Sequence, residues 1–123
     1  MENEALIAEA KKHVGEFPLS EAGRSAGSVS AALITEGGNL YIGICLDLDS
    51  GIGFCAEHAA IASMLLNRET VIKKIVAVND KEILPPCGRC RELILQVDSR
   101  NDECVVLLLM GTTRKLRELL PYR

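Results

Sequence analysis

Apolar and polar residues are spaced like a helix at the start of the chain and like strands shortly afterwards. Residues 2–14 place apolar side chains three or four positions apart among charged ones, which predicts an amphipathic helix. Two apolar runs, 29–34 and 40–45, flank the turn signal Gly37-Gly38-Asn39. This pattern predicts two strands joined by a tight turn.

Helical and strand patterns alternate through the second half of the chain. Residues 55–66 are apolar nearly all round, which predicts a helix buried on several sides. A strand is predicted over 71–78, a helix over 87–97, a fully buried strand over 104–110 and a short helix over 113–120. Alternation of this kind is typical of an α/β layered sheet with some parallel pairing.

Composition narrows the class of protein further. The 123 residues fit a single domain, 1–123, and aromatic residues make up only 3% of them. The net charge of −3 and the scattered charges argue against binding to nucleic acid or to a membrane surface. No apolar run is long enough to cross a bilayer, and the acidic start is unlike a signal peptide. We therefore expect a cytoplasmic protein with a free small-molecule substrate.

The five cysteines point to metal or catalytic chemistry, because an odd number without an export signal disfavours a disulfide framework. Cys87 and Cys90, at i and i+3, share one side of a first helical turn. Cys55 opens the other helix, 32 residues earlier, so three thiols can converge on one Zn²⁺ per chain with a fourth position open. Glu57 is then close enough to move protons. We expect the remaining two, Cys45 and Cys104, to be core residues.

The motifs Cys55-Ala56-Glu57 and Pro86-Cys87-Gly88-Arg89-Cys90 resemble the zinc signature of the nucleobase deaminases. The chain resembles the cytidine deaminase superfamily, in the three-cysteine branch that includes oligomeric cytidine deaminases and blasticidin S deaminases. This resemblance implies a three-layer α/β/α fold with a central mixed sheet of four to five strands. It also implies hydrolytic deamination of a cytosine-type nucleoside or a modified analogue, with zinc hydroxide as the nucleophile and Glu57 as the proton shuttle.

The same resemblance implies roles for residues around the thiols. The backbone at Ala56 and the loop ending at Pro86 would hold the edge of the base. Ser28 matches a substrate-contacting serine of the blasticidin S deaminases, and Lys81 stands where those proteins have an arginine. His58 stands where cytidine deaminases have an arginine that donates to the zinc thiolates, so we expect the same role for it.

Several interpretations stay open on the sequence alone. Asp47 or Asp49 could recognise an amine or a ribose hydroxyl, or simply form the loop. Cys87 and Cys90 could be a redox pair, which would leave Cys55 and Glu57 without a role. A purely structural zinc would need a fourth ligand such as His58. The nearly all-apolar helix further predicts a homo-oligomer, with a tetramer expected from the resemblance.

Overall fold

Three α-helices and seven strands make up the computed structural model of the protein, which describes residues 1–122. The helices are α1 (Asn3–Lys11), α2 (Ala56–Leu66) and α3 (Gly88–Val97). The strands are β1 (Phe17–Pro18), β2 (Ser25–Thr35), β3 (Leu40–Asp47), β4 (Ile72–Val78), β5 (Ile83–Leu84), β6 (Val105–Leu107) and β7 (Thr113–Lys115). Short 3-10 helices cover Asp49–Gly51, Ser99–Glu103, Leu109–Gly111 and Leu116–Leu119.

All seven strands form one mixed sheet. The strands β1, β2, β4, β6 and β7 are successive neighbours, while β3 also pairs with β2 and β5 with β4. Only β4 and β6 run parallel, and every other pairing of the described strands is antiparallel. The predicted hairpin of β2 and β3 and the predicted parallel pairing are therefore both confirmed.

Helices cover both faces of the sheet, as the three-layer prediction requires. On the central strands β2 and β4, away from the register shift at Thr35 and Ile72, residues of odd number face α2 and α3, for example Leu33 and its partner Ile75. Even-numbered residues such as Ala32 and Val76 face α1. This alternation follows from the two-residue period of a strand. Each fully buried Leu or Ile contributes about 1.5–3 kcal/mol to the stability of these two cores.

Contact between α2 and β3 is unusually close at Gly43. A Cβ atom at Gly43 would lie 2.3 Å from the backbone nitrogen of Ala60 and 2.6 Å from the Cβ of Ala59. Only glycine therefore lets the helix lie this near the strand. The contact fixes the position of α2, and with it the position of the residues at its N-terminus.

A buried asparagine joins three segments of the second half of the chain. Asn101 is fully buried, and its Oδ1 accepts a hydrogen bond of 2.8 Å from the backbone N–H of Ile72. Its Nδ2 donates to the carbonyls of Thr70 and Ile94, both at 3.0 Å. Because each of these buried groups would otherwise be unpaired, Asn101 links the start of β4 to the end of α3.

Two predictions for the C-terminal part of the chain are wrong. The apolar run 104–110 forms a strand only over Val105–Leu107, and Met110 is 98% exposed with a φ of 58°. The chain has to reverse there because β6 and β7 are antiparallel neighbours. The predicted helix over 113–120 is instead β7 followed by the 3-10 helix Leu116–Leu119.

Smaller differences concern element lengths and the number of strands. Helix α1 ends at Lys11, three residues before the predicted end. The sheet has seven strands where four to five were predicted, since β1 and β5 span only two residues each. Within residues 1–122, none of the helices is both long and apolar enough to pass through a bilayer.

Candidate metal centre and active-site cavity

Three thiols converge at the N-termini of α2 and α3. The Sγ atoms of Cys55 and Cys87 lie 3.7 Å apart, and those of Cys87 and Cys90 lie 3.4 Å apart. All three sulfurs lie within 4.8 Å of one another. The sequence prediction that these three residues meet at one point is thus matched by the geometry.

Local backbone conformation explains how the two helices present their thiols. Cys55 and Cys87 are the N-cap residues of α2 and α3, with extended backbone, and neither side chain caps its own helix. Their sulfurs are therefore free to point away from the helix ends. Cys90 follows one turn into α3 and is fully buried, whereas Cys87 is exposed.

The donor set and its spacing fit a zinc ion. A tetrahedral zinc with Zn–S bonds of about 2.3 Å holds its sulfurs about 3.8 Å apart. The observed separations of 3.7 and 3.4 Å are close to that value. No other Cys, His, Asp or Glu of the described chain joins the group, so three protein ligands leave one coordination position for another molecule.

Electrostatics also favour a cation between the thiols. Burial raises the pKa of Cys90 well above its ordinary value, and the Glu57 carboxylate and the other two thiols raise it further. Burial acts the same way on Cys87, but a hydrogen bond from the backbone N–H of Cys90 and the contact between the two thiols lower the pKa of Cys87 overall. A bound divalent cation would offset the mutual repulsion of three thiolates.

Glu57 lies in the first turn of α2, beside the thiols. Its side chain is only 5% exposed, and it lines the same cavity as Cys55 and Cys87. Burial raises the pKa of this carboxyl above its ordinary value, because loss of hydration disfavours the charged form. A buried carboxyl with a raised pKa holds a proton more readily than an exposed one, which suits a group that accepts and returns a proton during a reaction.

The cavity beside the thiols has a volume of about 430 Å³. This volume lies within the range of small-molecule sites, about 300–1,000 Å³. Its walls come from β2, β3, the loop before α2, and the start of α3. Lining residues include Ser28, Val29, Cys45, Asp47, Phe54, Cys55, Ala56, Glu57, Pro85, Cys87 and Arg89.

Ser28, Cys45 and Asp47 form a second polar group on the cavity wall. Ser28 Oγ lies 3.2 Å from Cys45 Sγ and donates to Asp47 Oδ2 over 3.4 Å. The thiol of Cys45 also donates to Asp47 Oδ2 over 3.7 Å, and the backbone N–H of Val29 donates to Cys45 Sγ over 3.3 Å. A register shift in β2 between Ala26 and Ser30 lies next to these residues. Bulges of this kind commonly redirect side chains at functional sites.

Other residues named from the sequence fall inside and outside the cavity. Ala56 lines it, whereas Pro86 lines a small neighbouring pocket together with Glu57. Lys81 lies in an exposed turn, where its backbone N–H donates to Asn79, and it is not among the lining residues. Asp49 is not a lining residue of the cavity either. Its carboxylate forms a salt bridge of 2.9 Å with Arg24.

Three basic residues, His58, Arg89 and Arg91, lie within three positions of a grouped cysteine in the sequence. The Nε2 atom of His58 is buried without a hydrogen-bond partner, so no thiol accepts from it in this structure. Burial lowers the pKa of His58, and the positive charge of Arg89 lowers it further. Arg91 donates from Nε to the carbonyl of Pro86 at 2.8 Å and from Nη1 to that of Leu119 at 3.2 Å. Arg91 thereby holds the segment that precedes Cys87.

Sequence reasoning overlooked one residue of the cavity and left another undecided. Cys45 is 6% exposed, as expected for a core residue, yet its thiol faces the cavity and contacts Ser28. Only the structure shows that Asp47 lines the cavity and that Asp49 does not. The alternation along β3 places Cys45 and Asp47 on one face, and this was the available signal. Cys104 is buried, which raises the pKa of its thiol to about 12, and the core prediction for it is confirmed.

Comparison with solved structures identifies the fold. The cytidine deaminase from Burkholderia pseudomallei matches with a TM-score of 0.77 and 27% identity, over 99% of this chain and 98% of that chain. The cytidine deaminase from Mycobacterium tuberculosis matches with a TM-score of 0.82 and 23% identity, over 99% and 96%. The cytidine deaminase from Bacillus anthracis matches with a TM-score of 0.76 and 20% identity, over 98% of this chain and 87% of that chain. No protein-family model matches the chain.

The chain therefore has the cytidine deaminase fold, and its three-cysteine cluster fits the zinc branch of that fold. The resemblance stated from the two motifs is therefore confirmed for the fold and for the three-cysteine branch. Fold and cluster together support a zinc-dependent deaminase.

Proposed function

We propose that the protein is a zinc-dependent aminohydrolase that deaminates a cytosine-type nucleoside or a modified analogue of one. The observation that carries this proposal is the group of three thiols within 4.8 Å of one another, beside the buried Glu57 on the wall of a 430 Å³ cavity. The likeness to cytidine deaminases over nearly the whole chain supports the same reaction.

Each residue of the cluster has a defined task in this reaction. Cys55, Cys87 and Cys90 would hold the zinc ion, which as a Lewis acid lowers the pKa of water to about 7. Glu57 accepts a proton from the attacking water and delivers it to the ring nitrogen next to the reacting carbon. It then assists the departure of ammonia as the carbonyl of the product forms. The backbone N–H of Ala56, the first residue of α2, has no partner within the helix and can hold the edge of the base.

The particular base and its substituents remain part of the proposal. Ser28 lines the cavity, which supports contact with the substrate, as in the blasticidin S deaminase alternative. Lys81 has no such support, because its turn lies outside the lining residues. For His58 we keep the proposed interaction with the thiolates, which would require a different orientation of the imidazole ring.

An ammonia-release screen of the purified protein tests the proposed reaction directly. The panel includes cytidine, deoxycytidine, methylated and N-substituted cytosines, blasticidin S and aminopurines. We expect release from at least one cytosine derivative and about one zinc per chain. A zinc-loaded protein that releases no ammonia from any of them would contradict the proposal.

A thiol redox protein is a second candidate, favoured by the 3.4 Å distance between Cys87 and Cys90 and by the exposure of Cys87. This alternative predicts a readily formed disulfide and no firmly bound zinc, so metal analysis separates the two candidates. We propose the cytoplasm as the compartment, where thiols are kept reduced.

We expect the protein to be a homo-oligomer, and we propose a tetramer. The face of α2 away from the sheet and the loop before it leave Leu66 75% exposed and Ile52 71% exposed. Covering these side chains between subunits removes apolar surface from water. Light scattering should therefore give a multiple of the chain mass of 13.3 kDa. Leu66→Glu should shift the distribution towards smaller species, and a wild-type monomer at working concentration would refute the expectation.

A further inference from the structure

Solvent access differs sharply among the three grouped thiols. Cys87 is exposed, Cys55 is partly exposed and Cys90 is fully buried. An oxidant that arrives from solvent therefore meets Cys87 first, and it has no direct path to the sulfur of Cys90. An accessible thiol with a second thiol poised next to it is the usual arrangement of a redox-sensing cysteine.

Cys87 is also the thiol that contacts both of the others. Its Sγ lies 3.4 Å from that of Cys90 and 3.7 Å from that of Cys55. A disulfide bond is about 2.05 Å long, so a small movement of the side chains closes either pair. Cys87 and Cys90 are the closer pair, and both belong to the start of α3, so their bond forms without moving one helix relative to another.

The backbone at the start of α3 leaves the Cys87 side chain free to turn. Cys87 is the N-cap residue of this helix, but its side chain makes no capping hydrogen bond. Its carbonyl accepts a helical hydrogen bond of 3.0 Å from the backbone N–H of Arg91. Rotation of the thiol towards Cys90 therefore breaks no hydrogen bond of the helix.

A bond between Cys87 and Cys90 is incompatible with the metal centre. The group that fits zinc has three thiols, and a disulfide sulfur lacks the negative charge that makes a thiolate a metal ligand. Oxidation of this pair leaves Cys55 as the one remaining ligand of the group. A single thiolate does not hold zinc firmly, because zinc sites in proteins use three or four protein ligands.

We propose that Cys87 and Cys90 are a reversible redox switch, in which a low-molecular-weight disulfide oxidises the pair, zinc is released, and a thiol reductant restores the site. The inference rests on the proposed zinc-dependent function, and it adds a form of regulation at the same site. It differs from the second candidate function, in which no zinc is firmly bound. Disulfides of cytosolic proteins in mesophiles are usually transient and catalytic or redox-sensing, which suits a switch of this kind.

The oxidation balances in atoms and electrons. The Cys87 thiolate attacks one sulfur of the oxidant, which forms a mixed disulfide on Cys87 and releases the first thiolate of the oxidant. The Cys90 thiolate then attacks the Cys87 sulfur and expels the second thiolate. Two electrons pass from the protein to the oxidant, one new S–S bond replaces another, and the zinc departs unchanged as Zn²⁺.

Treatment of the zinc-loaded protein with glutathione disulfide tests the switch. A chromogenic chelator reports released zinc, and the remaining free thiols are blocked before digestion with trypsin. Because Arg89 separates the two cysteines, trypsin places Cys87 in residues 82–89 and Cys90 in residues 90–91. We expect these two peptides to stay joined until a reductant is added, with about one zinc released for each disulfide formed.

Substitutions identify the thiol that reacts with the mixed disulfide. In metal-free protein, Cys55→Ser should form an intramolecular disulfide as fast as the wild type, whereas Cys90→Ser should be slower by about tenfold or more. Cys104→Ala is the matched control, because it removes a buried thiol that is not a member of the group. Zinc-loaded Cys104→Ala should release its zinc at the rate of the wild type.

The outcomes separate the switch from the proposed function. Zinc that stays bound under oxidation, a wild-type bond from Cys87 to Cys55, or equal rates for Cys90→Ser and Cys55→Ser would overturn the switch and leave the deaminase intact. Zinc release with a bond between Cys87 and Cys90, reversed by reductant and added zinc, would support the switch. The same reversible release in a protein that deaminates no substrate before oxidation would support the switch and contradict the proposed function.

Discussion

Glu57→Gln should retain its zinc and lose ammonia release by a factor of about 10²–10⁴ or more. Glutamine has nearly the same shape as glutamate, but its amide cannot accept and return the proton that the reaction moves. Glu57 is not one of the three grouped thiol ligands, so the metal content should stay at that of the wild type. Among the described residues, Asp47 is the one other carboxylate that lines the cavity.

Glu92→Gln provides a matched control for this substitution. Glu92 lies on the exposed side of α3, where its carboxylate accepts a hydrogen bond from Gln96. The same chemical change there should leave the rate and the zinc content within about twofold of the wild type. If Glu57→Gln kept the rate of the control, the proton-transfer role would have to be abandoned.

Cys87→Ser should weaken zinc binding by more than about 100-fold, because changes to residues that merely support metal ligands already cost about 10–100-fold. A serine hydroxyl is a much poorer ligand than a thiolate, and ammonia release should fall with the metal content. Cys87 is exposed, so the substitution leaves the core packing unchanged. Zinc per chain is measured by metal analysis, and affinity by competition with a chelator.

Cys104→Ala is the control for the loss of a thiol elsewhere. Cys104 is buried in the core near β6, and it is not a member of the three-thiol group. Its removal can lower the free energy of unfolding through a small cavity, but zinc should still bind at about one ion per chain. A Cys87→Ser protein with the zinc affinity of this control would show that the metal is held elsewhere.

Strong local patterns predicted the elements that build the site. The hairpin of β2 and β3, helix α2 and helix α3 all lie within a few residues of their predicted ranges. Each of these segments is long enough to show a clear pattern of apolar residues. The convergence of Cys55, Cys87 and Cys90 followed from their positions at two helix starts on one sheet. Local signals are sufficient in this case because each ligand lies at a helix start or within one turn of it.

Short elements were the ones that sequence reasoning missed. The run 104–110 lacks any polar residue that would mark a turn, although Met110 adopts a φ of 58° and is 98% exposed. Pairing of β6 with β7 requires the turn, and pairing depends on two segments together rather than on the pattern within one. Strands of two or three residues are also too short to show a period.

Residues on the cavity wall pose a different problem, as Cys45 illustrates. Alternation along β3 predicts correctly that its side chain is buried. The same alternation is expected whether a buried side chain packs against a helix or lines a cavity, as Cys45 does. Which of the two applies depends on how the loop after β3 is folded. Sequence periodicity carries no information about that loop.

The close contact between α2 and Gly43 limits how the cavity can change shape. Because only a hydrogen atom separates strand from helix there, α2 and β3 are expected to move as one rigid body. Two hydrogen bonds between Leu46 and Phe54 pin both ends of the connecting loop as well. The segment 48–52 between these bonds contributes Leu48 and Gly51 to the wall, and we expect it to be the pliable part of the cavity's surroundings. Adaptation to substrates of different bulk should arise in these five residues, while the distance between Cys55 and Glu57, both at the start of α2, stays constant.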